Sequence, residues 1–241
     1  MIVDKSVVKY PSRWPVKNTE LIQLYTVPTP NGQKISIMLE EVGLPYEAHS
    51  VNILEGEQFD KEFFLISPNS KIPVLVDPDG PSNKPVALME SGAILLYLAK
   101  KTGRLLPKTD EQYWEMLQWL FFQVASVGPM FGQFGHFYKY AVGTTADSYG
   151  IHRYRDEANR LLGVLEQRLS DNRLWIMGKE LTIADMAIAP WLKGIDWYGG
   201  QQEVNVNQFK SVSAYRDRFF ELPSAKRGGN VGALNREHGN V

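Results

Sequence analysis

The order of the apolar segments constrains the fold of this chain more than any other feature. Between residues 21 and 103, short apolar runs alternate with helical patterns in the order β-α-β-α-β-β-α, and the rest of the chain is mainly helical in pattern. Strands separated by helices favour parallel pairing, whereas the last two strands are close enough to form a hairpin. The sequence therefore predicts an α/β domain followed by an all-α domain.

Turn residues bound the predicted elements. Leu21–Tyr25 is the first strand, the breaker run Pro28–Gly32 follows it, and Gly43 ends the first helix. The later elements of the α/β part are predicted at 46–52, 59–66, 71–76, 85–89 and 90–101. Helical periodicity in the second part covers 112–140, 151–169, 182–193 and 208–221.

The chain is predicted to divide into four parts. An irregular arm at 1–20, which shows no sustained periodicity, is expected to lie on the surface. The α/β domain is predicted at 21–104 and the helical domain at 111–227. A segment rich in Gly, Asn and Arg at 228–241 is predicted to be a tail.

Charge and composition exclude several classes of function. The net charge is −1, from 26 basic and 27 acidic residues. The chain therefore has no overall positive charge that would attract nucleic acid or an anionic membrane. No stretch of about 18 apolar residues occurs, and Met1–Glu20 has no apolar signal core, so we expect a cytoplasmic protein. Motifs for zinc hydrolysis, serine hydrolysis and nucleotide binding are also missing from the sequence.

The sequence contains no cysteine. This excludes a disulfide framework, a thiolate metal site and a cysteine nucleophile of the protein's own. We expect no metal cofactor, and any thiol chemistry must use a thiol that the ligand brings.

Thr29 and Asn31 stand at the predicted start of the first helix. Pro30-Asn31-Gly32 after a strand is typical of an N-cap, in which Asn31 accepts from free amides of the first turn. The same residues also present a hydroxyl and an amide where the helix dipole favours a negative group. On these residues alone, both interpretations stay open.

Two further pairs carry possible chemistry. Proline at Pro73 cannot donate to a strand ladder, which fits a strand start or a cis turn that leaves the backbone of Ile72 facing outward for a peptide ligand. Glu90 and Ser91 at a helix start are ordinarily a capping pair. They are equally suited to an amino-acid headgroup, with Ser91 on its carboxylate and Glu90 on its ammonium.

Taken together, Ser67-Pro-Asn-Ser-Lys-Ile-Pro73 and Glu90-Ser-Gly-Ala-Ile-Leu-Leu-Tyr-Leu98 resemble the glutathione site of the glutathione transferase superfamily. Thr29-Pro-Asn-Gly32 and Gly135-His-Phe137 further resemble bacterial nu-class members and related fungal prion-homologous transferases, which act chiefly as glutathione-dependent disulfide reductases. The resemblance spans about residues 21–227. It implies the glutathione transferase fold, a thioredoxin-like, glutathione-binding N-terminal domain plus an all-helical C-terminal domain.

The resemblance implies a role for each matching residue. It places Thr29 and Asn31 at the glutathione thiol. The other implied glutathione contacts are Gln58, Lys71, Ile72, Pro73, Glu90 and Ser91. Among these, Ile72 pairs with the cysteinyl backbone beside a cis-proline, Glu90 and Ser91 hold the γ-glutamyl headgroup, and Lys71 meets the glycyl carboxylate.

An arginine and a second subunit are also implied. In nu-class enzymes an arginine reaches the site from the partner subunit, which predicts a homodimer. On the helix His152–Arg160, Arg160 aligns best and Arg153 second. The alternative is that each arginine forms a salt bridge with a neighbouring acid.

The function implied by the resemblance is disulfide-bond reduction with two glutathione molecules, or glutathione disulfide, and a small disulfide as partners. One alternative is conjugation of glutathione to a small electrophile, and another is a non-catalytic glutathione-binding regulatory module. Elsewhere in the superfamily a tyrosine contacts the sulfur, and Tyr25 is the corresponding rival here. We expect the Tyr25 ring to have a structural role in the sheet instead.

Thr182-Ile-Ala-Asp185 resembles the superfamily's buried capping box.

Overall fold

The computed structural model describes residues 8–144 and 148–234 of the 241-residue chain. The chain forms two compact units, one of Met1–Leu98 with Pro223–Val241 and one of Ala99–Leu222. The C-terminal segment is therefore part of the first unit. The division into functional domains at 104–111 stays a prediction.

The first unit contains a four-stranded mixed sheet in the order β2-β1-β3-β4. β1 (Ile22–Thr26) pairs in parallel with β2 (Tyr46–Ser50), as expected for strands joined through a helix. β3 (Val74–Asp77) runs antiparallel to β1, and β4 (Val86–Leu88) runs antiparallel to β3. The predicted parallel pair and the predicted hairpin are both confirmed.

Between residues 22 and 102, three α-helices accompany the sheet. They are α1 (Pro30–Val42), α2 (Lys61–Ile66) and α3 (Ser91–Thr102). Gly43 ends α1 in a left-handed conformation with φ 72°, and its N–H donates to the carbonyl of Leu39. The predicted helix end is confirmed, since glycine adopts this conformation without the steric penalty of a Cβ.

The second unit consists of helices. They are α4 (Asp110–Phe122), α5 (Gly128–Gly135), α6 (Tyr149–Leu169), α7 (Ile183–Tyr198) and α8 (Lys210–Glu221). π-helical turns at Gln123–Val127 and His136–Tyr140 follow α4 and α5. Across 8–144 and 148–234, no helix is long and apolar enough to cross a membrane.

The predicted capping box at the start of α7 is confirmed. Asp185 Oδ2 accepts from the Thr182 N–H at 2.8 Å, and Oδ1 accepts from the Ile176 N–H at 2.8 Å and the Tyr215 hydroxyl at 3.1 Å. Burial raises the pKa of Asp185 to about 6 against the opposing effect of these hydrogen bonds. Asp185 therefore joins α7 to the preceding loop and to α8, a role in folding.

The last described segment is packed against α1. A ninth helix, α9 (Pro223–Gly228), ends at Gly228, where a Cβ would lie 2.7 Å from the Ile37 Cα. Gln33 Nε2 donates to the Gly229 carbonyl at 2.8 Å. The prediction of a tail from residue 228 is thus wrong for its first residues, because local composition does not reveal this tertiary contact. The part of the predicted tail at 235–241 lies outside the described residues.

The N-terminal arm is anchored by Trp14. Its side chain is only 8% exposed, and its Nε1 donates to the Ser50 carbonyl at 2.8 Å. The Trp14 ring centroid lies 6.0 Å from that of Tyr25 and 5.6 Å from that of Phe63. The expectation of an arm lying on the surface is therefore wrong at this point, because burying an aromatic ring outweighs the irregular local pattern. Residues 1–7 of the predicted arm lie outside the described part.

The turn between β1 and α1 depends on Gly32. A Cβ on this residue would lie 2.0 Å from the Val27 carbonyl oxygen and 2.5 Å from Thr26 Oγ1. Helix α1 thus begins directly against the turn that precedes it. Only a residue without a side chain permits this close approach.

We expect Gly32→Ala to lower the free energy of unfolding by about 3 kcal/mol, because the added methyl group meets backbone that cannot move aside freely. The matched control is Gly163→Ala inside α6, where a Cβ would have nothing within 4 Å. That control should raise stability by about 0.5–1 kcal/mol, since alanine is the better helix former. Urea unfolding of both variants measures the difference. Equal effects would contradict the close-approach argument.

Candidate functional site

A cavity of about 260 Å³ lies in the first unit, and we call it the α1–α3 cavity. Its lining comes from the start of α1, the loop before β3 and the start of α3. The lining residues are Asn31, Ser67, Asn69, Lys71, Ile72, Pro73, Met89, Glu90 and Ser91. Of these, Ser67, Asn69 and Met89 were not assigned a role from the sequence, although Ser67 and Asn69 belong to the motif that carried the resemblance.

Thr29 is the N-cap of α1. Its Oγ1 accepts from the Gly32 N–H at 3.2 Å, whereas Asn31 lies one residue inside the helix. The prediction that Asn31 is the cap is therefore wrong, because Pro30 takes the first helical position and moves the cap back to Thr29. The bond from Gly32 uses a lone pair of the Thr29 hydroxyl, so its proton is left to donate elsewhere.

The loop before β3 is held by Ser67. This buried residue donates from Oγ to the Lys71 carbonyl at 2.8 Å and accepts from the Lys71 N–H at 3.3 Å. The Ile72–Pro73 peptide bond is cis, one of the two conformations that the sequence allowed. Because β3 begins at Val74, the backbone of Ile72 precedes the ladder that β3 forms with β1.

Glu90 and Ser91 form the head of α3. The Glu90 carbonyl accepts from the Ile94 N–H at 2.9 Å. The backbone of Glu90 is in the left-handed region, with a φ of 69°. A glutamate in this conformation carries strain of about 1–3 kcal/mol, which is typical of functional sites. Ser91, the first residue of the helix, is buried and lines the cavity.

The starts of α1 and α3 therefore line the same cavity. A helix N-terminus presents backbone N–H groups and the positive end of the helix dipole. Asn31 belongs to the first turn of α1, and Ser91 to that of α3. The cavity is thus suited to a ligand that has two negatively charged groups.

Lys34 lies behind Ser91 and was not predicted as a site residue. It is 1% exposed, and its Nζ donates to Ser91 Oγ at 3.1 Å. Burial lowers the pKa of Lys34 to about 7, while the Glu90 carboxylate acts in the opposite direction. In the sequence, only its place among the apolar residues of α1 hinted at burial.

Four predicted residues are not among those that line the α1–α3 cavity, namely Thr29, Gln58, Arg153 and Arg160. Gln58 is half-buried, and its Oε1 has no hydrogen-bond partner in the part of the chain that the structure describes. Arg153 and Arg160 are exposed on α6 in the second unit. Arg160 Nη2 binds Glu157 Oε1 at 2.7 Å, which is the salt bridge considered as its alternative role. The ligand contacts of all four stay predictions.

Tyr25 belongs to the core of the first unit. Its ring is fully buried and stacks on His49 with centroids 4.6 Å apart. Within 8–144 and 148–234, the Tyr25 hydroxyl has no hydrogen-bond partner, and burial raises its pKa above the ordinary value. Tyr25 is not among the residues that line the cavity.

Among the described residues, 8–144 and 148–234, no group of three or more His, Cys, Asp or Glu is placed to hold a metal ion.

Two family models match the sequence. Residues 29–101 match the glutathione S-transferase N-terminal domain, and residues 151–223 match the glutathione S-transferase C-terminal domain. The N-terminal match covers all the lining residues of the α1–α3 cavity.

Individual relatives agree with the family models. Disulfide-bond oxidoreductase YfcG of Escherichia coli K12 is 43% identical over 207 residues, which cover 85% of this chain and 92% of YfcG. A glutathione transferase family member from Pseudomonas fluorescens pf-5, solved with two glutathione bound, is 48% identical with a TM-score of 0.88, over 91% of this chain and 96% of that one. A Pseudomonas putida glutathione transferase, solved with one glutathione disulfide bound per subunit, is 46% identical with a TM-score of 0.86, over 90% and 94% of the two chains.

Replacing Glu90 by glycine tests the strain at the head of α3. Because glycine adopts a φ of 69° freely, Glu90→Gly is expected to raise the free energy of unfolding by about 1 kcal/mol. The control is Asn172→Gly at φ 63°, which should change stability by less than about 0.5 kcal/mol since asparagine already tolerates this region. Thermal and urea unfolding measure both. A loss of stability in Glu90→Gly would contradict the strain.

Proposed function

The chain belongs to the glutathione S-transferase family, and on that premise we propose that it reduces small disulfides with glutathione. One observation carries the proposal. The α1–α3 cavity joins two helix N-termini, the backbone of Ile72 and the Glu90–Ser91 pair in a chain without cysteine. The protein therefore binds and activates a thiol that it does not itself possess.

The charges of the cavity match those of glutathione. The tripeptide carries an α-carboxylate and an ammonium at its γ-glutamyl end and a second carboxylate at its glycyl end. In our proposal Ser91 and the start of α3 hold the first carboxylate, Glu90 holds the ammonium, and Lys71, with Gln58, lies toward the glycyl end. The backbone of Ile72 pairs with the cysteinyl residue and directs its sulfur toward Thr29 and Asn31.

The chemistry begins with the thiolate. A free thiol with a pKa of about 8.5 is mostly protonated at neutral pH. The Thr29 hydroxyl, the Asn31 amide and the start of α1 stabilise the anion and lower that pKa. The thiolate attacks one sulfur of a disulfide, forms a mixed disulfide and releases the other half as a thiolate. A second glutathione thiolate then attacks the glutathione sulfur of the mixed disulfide, which yields glutathione disulfide and releases the remaining thiolate.

The relatives support a route that uses glutathione alone. The Pseudomonas proteins were solved with two glutathione molecules or with glutathione disulfide, the species that enter and leave this cycle. YfcG is named a disulfide-bond oxidoreductase. Such a cycle needs a reduced glutathione pool, which supports a site of action in the cytoplasm.

The direct assay couples turnover to glutathione reductase and NADPH, with bis(2-hydroxyethyl) disulfide as substrate. We expect saturable reduction above the uncatalysed rate. Faster turnover of 1-chloro-2,4-dinitrobenzene would favour conjugation instead. Glutathione binding with neither activity would favour a regulatory module.

Thr29→Ala tests the thiol contact. Removing the donor should raise the pKa of the bound thiol and slow disulfide reduction at pH 7 by about tenfold to a thousandfold, with partial recovery as the pH rises. Thr29→Ser keeps the hydroxyl and should retain most of the activity. Because Thr29 also caps α1, Thr29→Ala is expected to lose about 1 kcal/mol of stability, which urea unfolding measures separately.

Tyr25→Phe is the matched control for a rival mechanism. The Tyr25 hydroxyl is buried without a partner in the described part of the chain, so its removal should leave the rate within a few-fold of the wild-type rate and the stability equal or higher. The same coupled assay measures both variants. Loss of activity in Tyr25→Phe, with activity kept in Thr29→Ala, would assign the thiol to the tyrosine.

We further propose that the protein is a homodimer in which Arg160, or Arg153, reaches the glutathione site of the other copy. Large apolar side chains are exposed on both units, including Phe59, Phe64 and Leu65 on the first and Trp114 and Phe121 on the second. Exposed apolar groups of this kind mark interaction surfaces, and symmetric dimers are the commonest oligomers.

Light scattering at micromolar concentration should therefore give twice the mass of the chain. Phe64→Glu is expected to shift the population toward monomer because it places a charge in the proposed interface. Leu174→Glu, at a comparably exposed apolar position outside these groups, should remain dimeric. A monomeric wild-type protein would refute the dimer.

A further inference from the structure

The buried Lys34 has no assigned role in the proposed reaction. Lysine is rarely fully buried, because an ammonium group loses its hydration there. Lys34 is nevertheless 1% exposed, and its Nζ reaches Ser91 Oγ at 3.1 Å. Ser91 in turn lines the α1–α3 cavity. The cation is therefore one side chain away from the ligand.

We propose that Lys34 is a positioning residue that acts through Ser91 and makes the α1–α3 cavity select a ligand with an α-carboxylate on its headgroup. This inference rests on the proposed binding of glutathione in this cavity.

The direction of the hydrogen bond carries the argument. A protonated lysine only donates, so the Ser91 hydroxyl accepts from it and keeps its own proton for another acceptor. A donor that is itself bonded to a cation becomes a stronger donor. A carboxylate in the cavity is the acceptor that gains most, because it also meets the dipole of α3.

Lys34 has an acidic neighbour in Glu90. Glu90, at the head of α3, acts on Lys34 and raises its pKa against the lowering effect of burial. From α9, which also packs on α1, the basic residues are Lys226 and Arg227, and Arg227 binds Glu40 of α1. A ligand carboxylate adds a negative neighbour on the cavity side and favours the charged form of Lys34.

The test compares two ligands and three proteins. The ligands are glutathione and 4-aminobutyryl-cysteinyl-glycine, which lacks only the α-carboxylate of the headgroup. Lys34→Met removes the charge and keeps the length of the side chain. Gln33→Met changes another buried polar residue of α1, whose amide donates to Gly229 and not to Ser91. Calorimetry gives the affinities, and urea unfolding gives the stabilities.

We expect Lys34→Met to weaken glutathione binding by about tenfold to a hundredfold, the range for a charged hydrogen bond. The analogue without the carboxylate should change by less than about threefold. Gln33→Met should lose stability to a similar degree without altering the ratio of the two affinities. If Lys34→Met weakens both ligands equally, Lys34 is only structural and the inference is overturned.

A second measurement uses the wild-type protein and does not depend on the folding of a variant. At pH 8, above the pKa of about 7 of Lys34 in the free protein, a bound carboxylate raises that pKa and draws a proton onto the amine. The binding of glutathione should therefore be accompanied by the uptake of more protons than the binding of the analogue. Calorimetry in buffers of different ionisation enthalpy measures this number of protons. Equal uptake would overturn the inference. If the wild-type protein does not bind glutathione at all, the proposed function fails and this inference fails with it.

Discussion

The meeting of two helix N-termini at one cavity is the constraint on which the rest of the site depends. Helix α1 begins directly against the turn after β1 because Gly32 has no side chain to collide with Val27 and Thr26. Helix α3 begins at Ser91, immediately after the strained Glu90. Each start contributes the positive end of a helix dipole, so the cavity is prepared for anions before any ligand arrives. A chain without cysteine needs this preparation, since the reacting sulfur comes with the ligand.

The first unit supports this arrangement from both ends of the chain. At the N-terminal end, Trp14 packs on Tyr25 and Phe63 and donates to the backbone at Ser50. At the C-terminal end, the Gly229 carbonyl accepts from the side chain of Gln33. Gln33 is the residue directly after Gly32 in α1. Both ends thus hold β1 and α1, the elements that set the position of Thr29.

The cavity combines a strained backbone with a buried charge. Glu90 is held in a conformation that glutamate avoids, and Lys34 is buried where its charge loses hydration. Asp185 in the second unit is buried as well, but it accepts several hydrogen bonds that secure a helix start. The two buried charges differ in their surroundings, since Asp185 binds backbone at a helix start and Lys34 donates to a residue that lines the α1–α3 cavity.

The sequence by itself determined the features that depend on neighbouring residues. Periodicity and turn chemistry predicted the order of the strands and helices and the end of α1 at Gly43. The spacing of Ile72–Pro73 and Glu90–Ser91 located two sides of the cavity, since each pair belongs to a short motif. The tertiary structure alone decided that Trp14 is buried and that Gly229 binds α1. It also decided that Lys34 lies beneath Ser91. These contacts join residues far apart in sequence, and local pattern cannot show which face of α1 is covered, because neighbours on several sides bury nearly the whole helix.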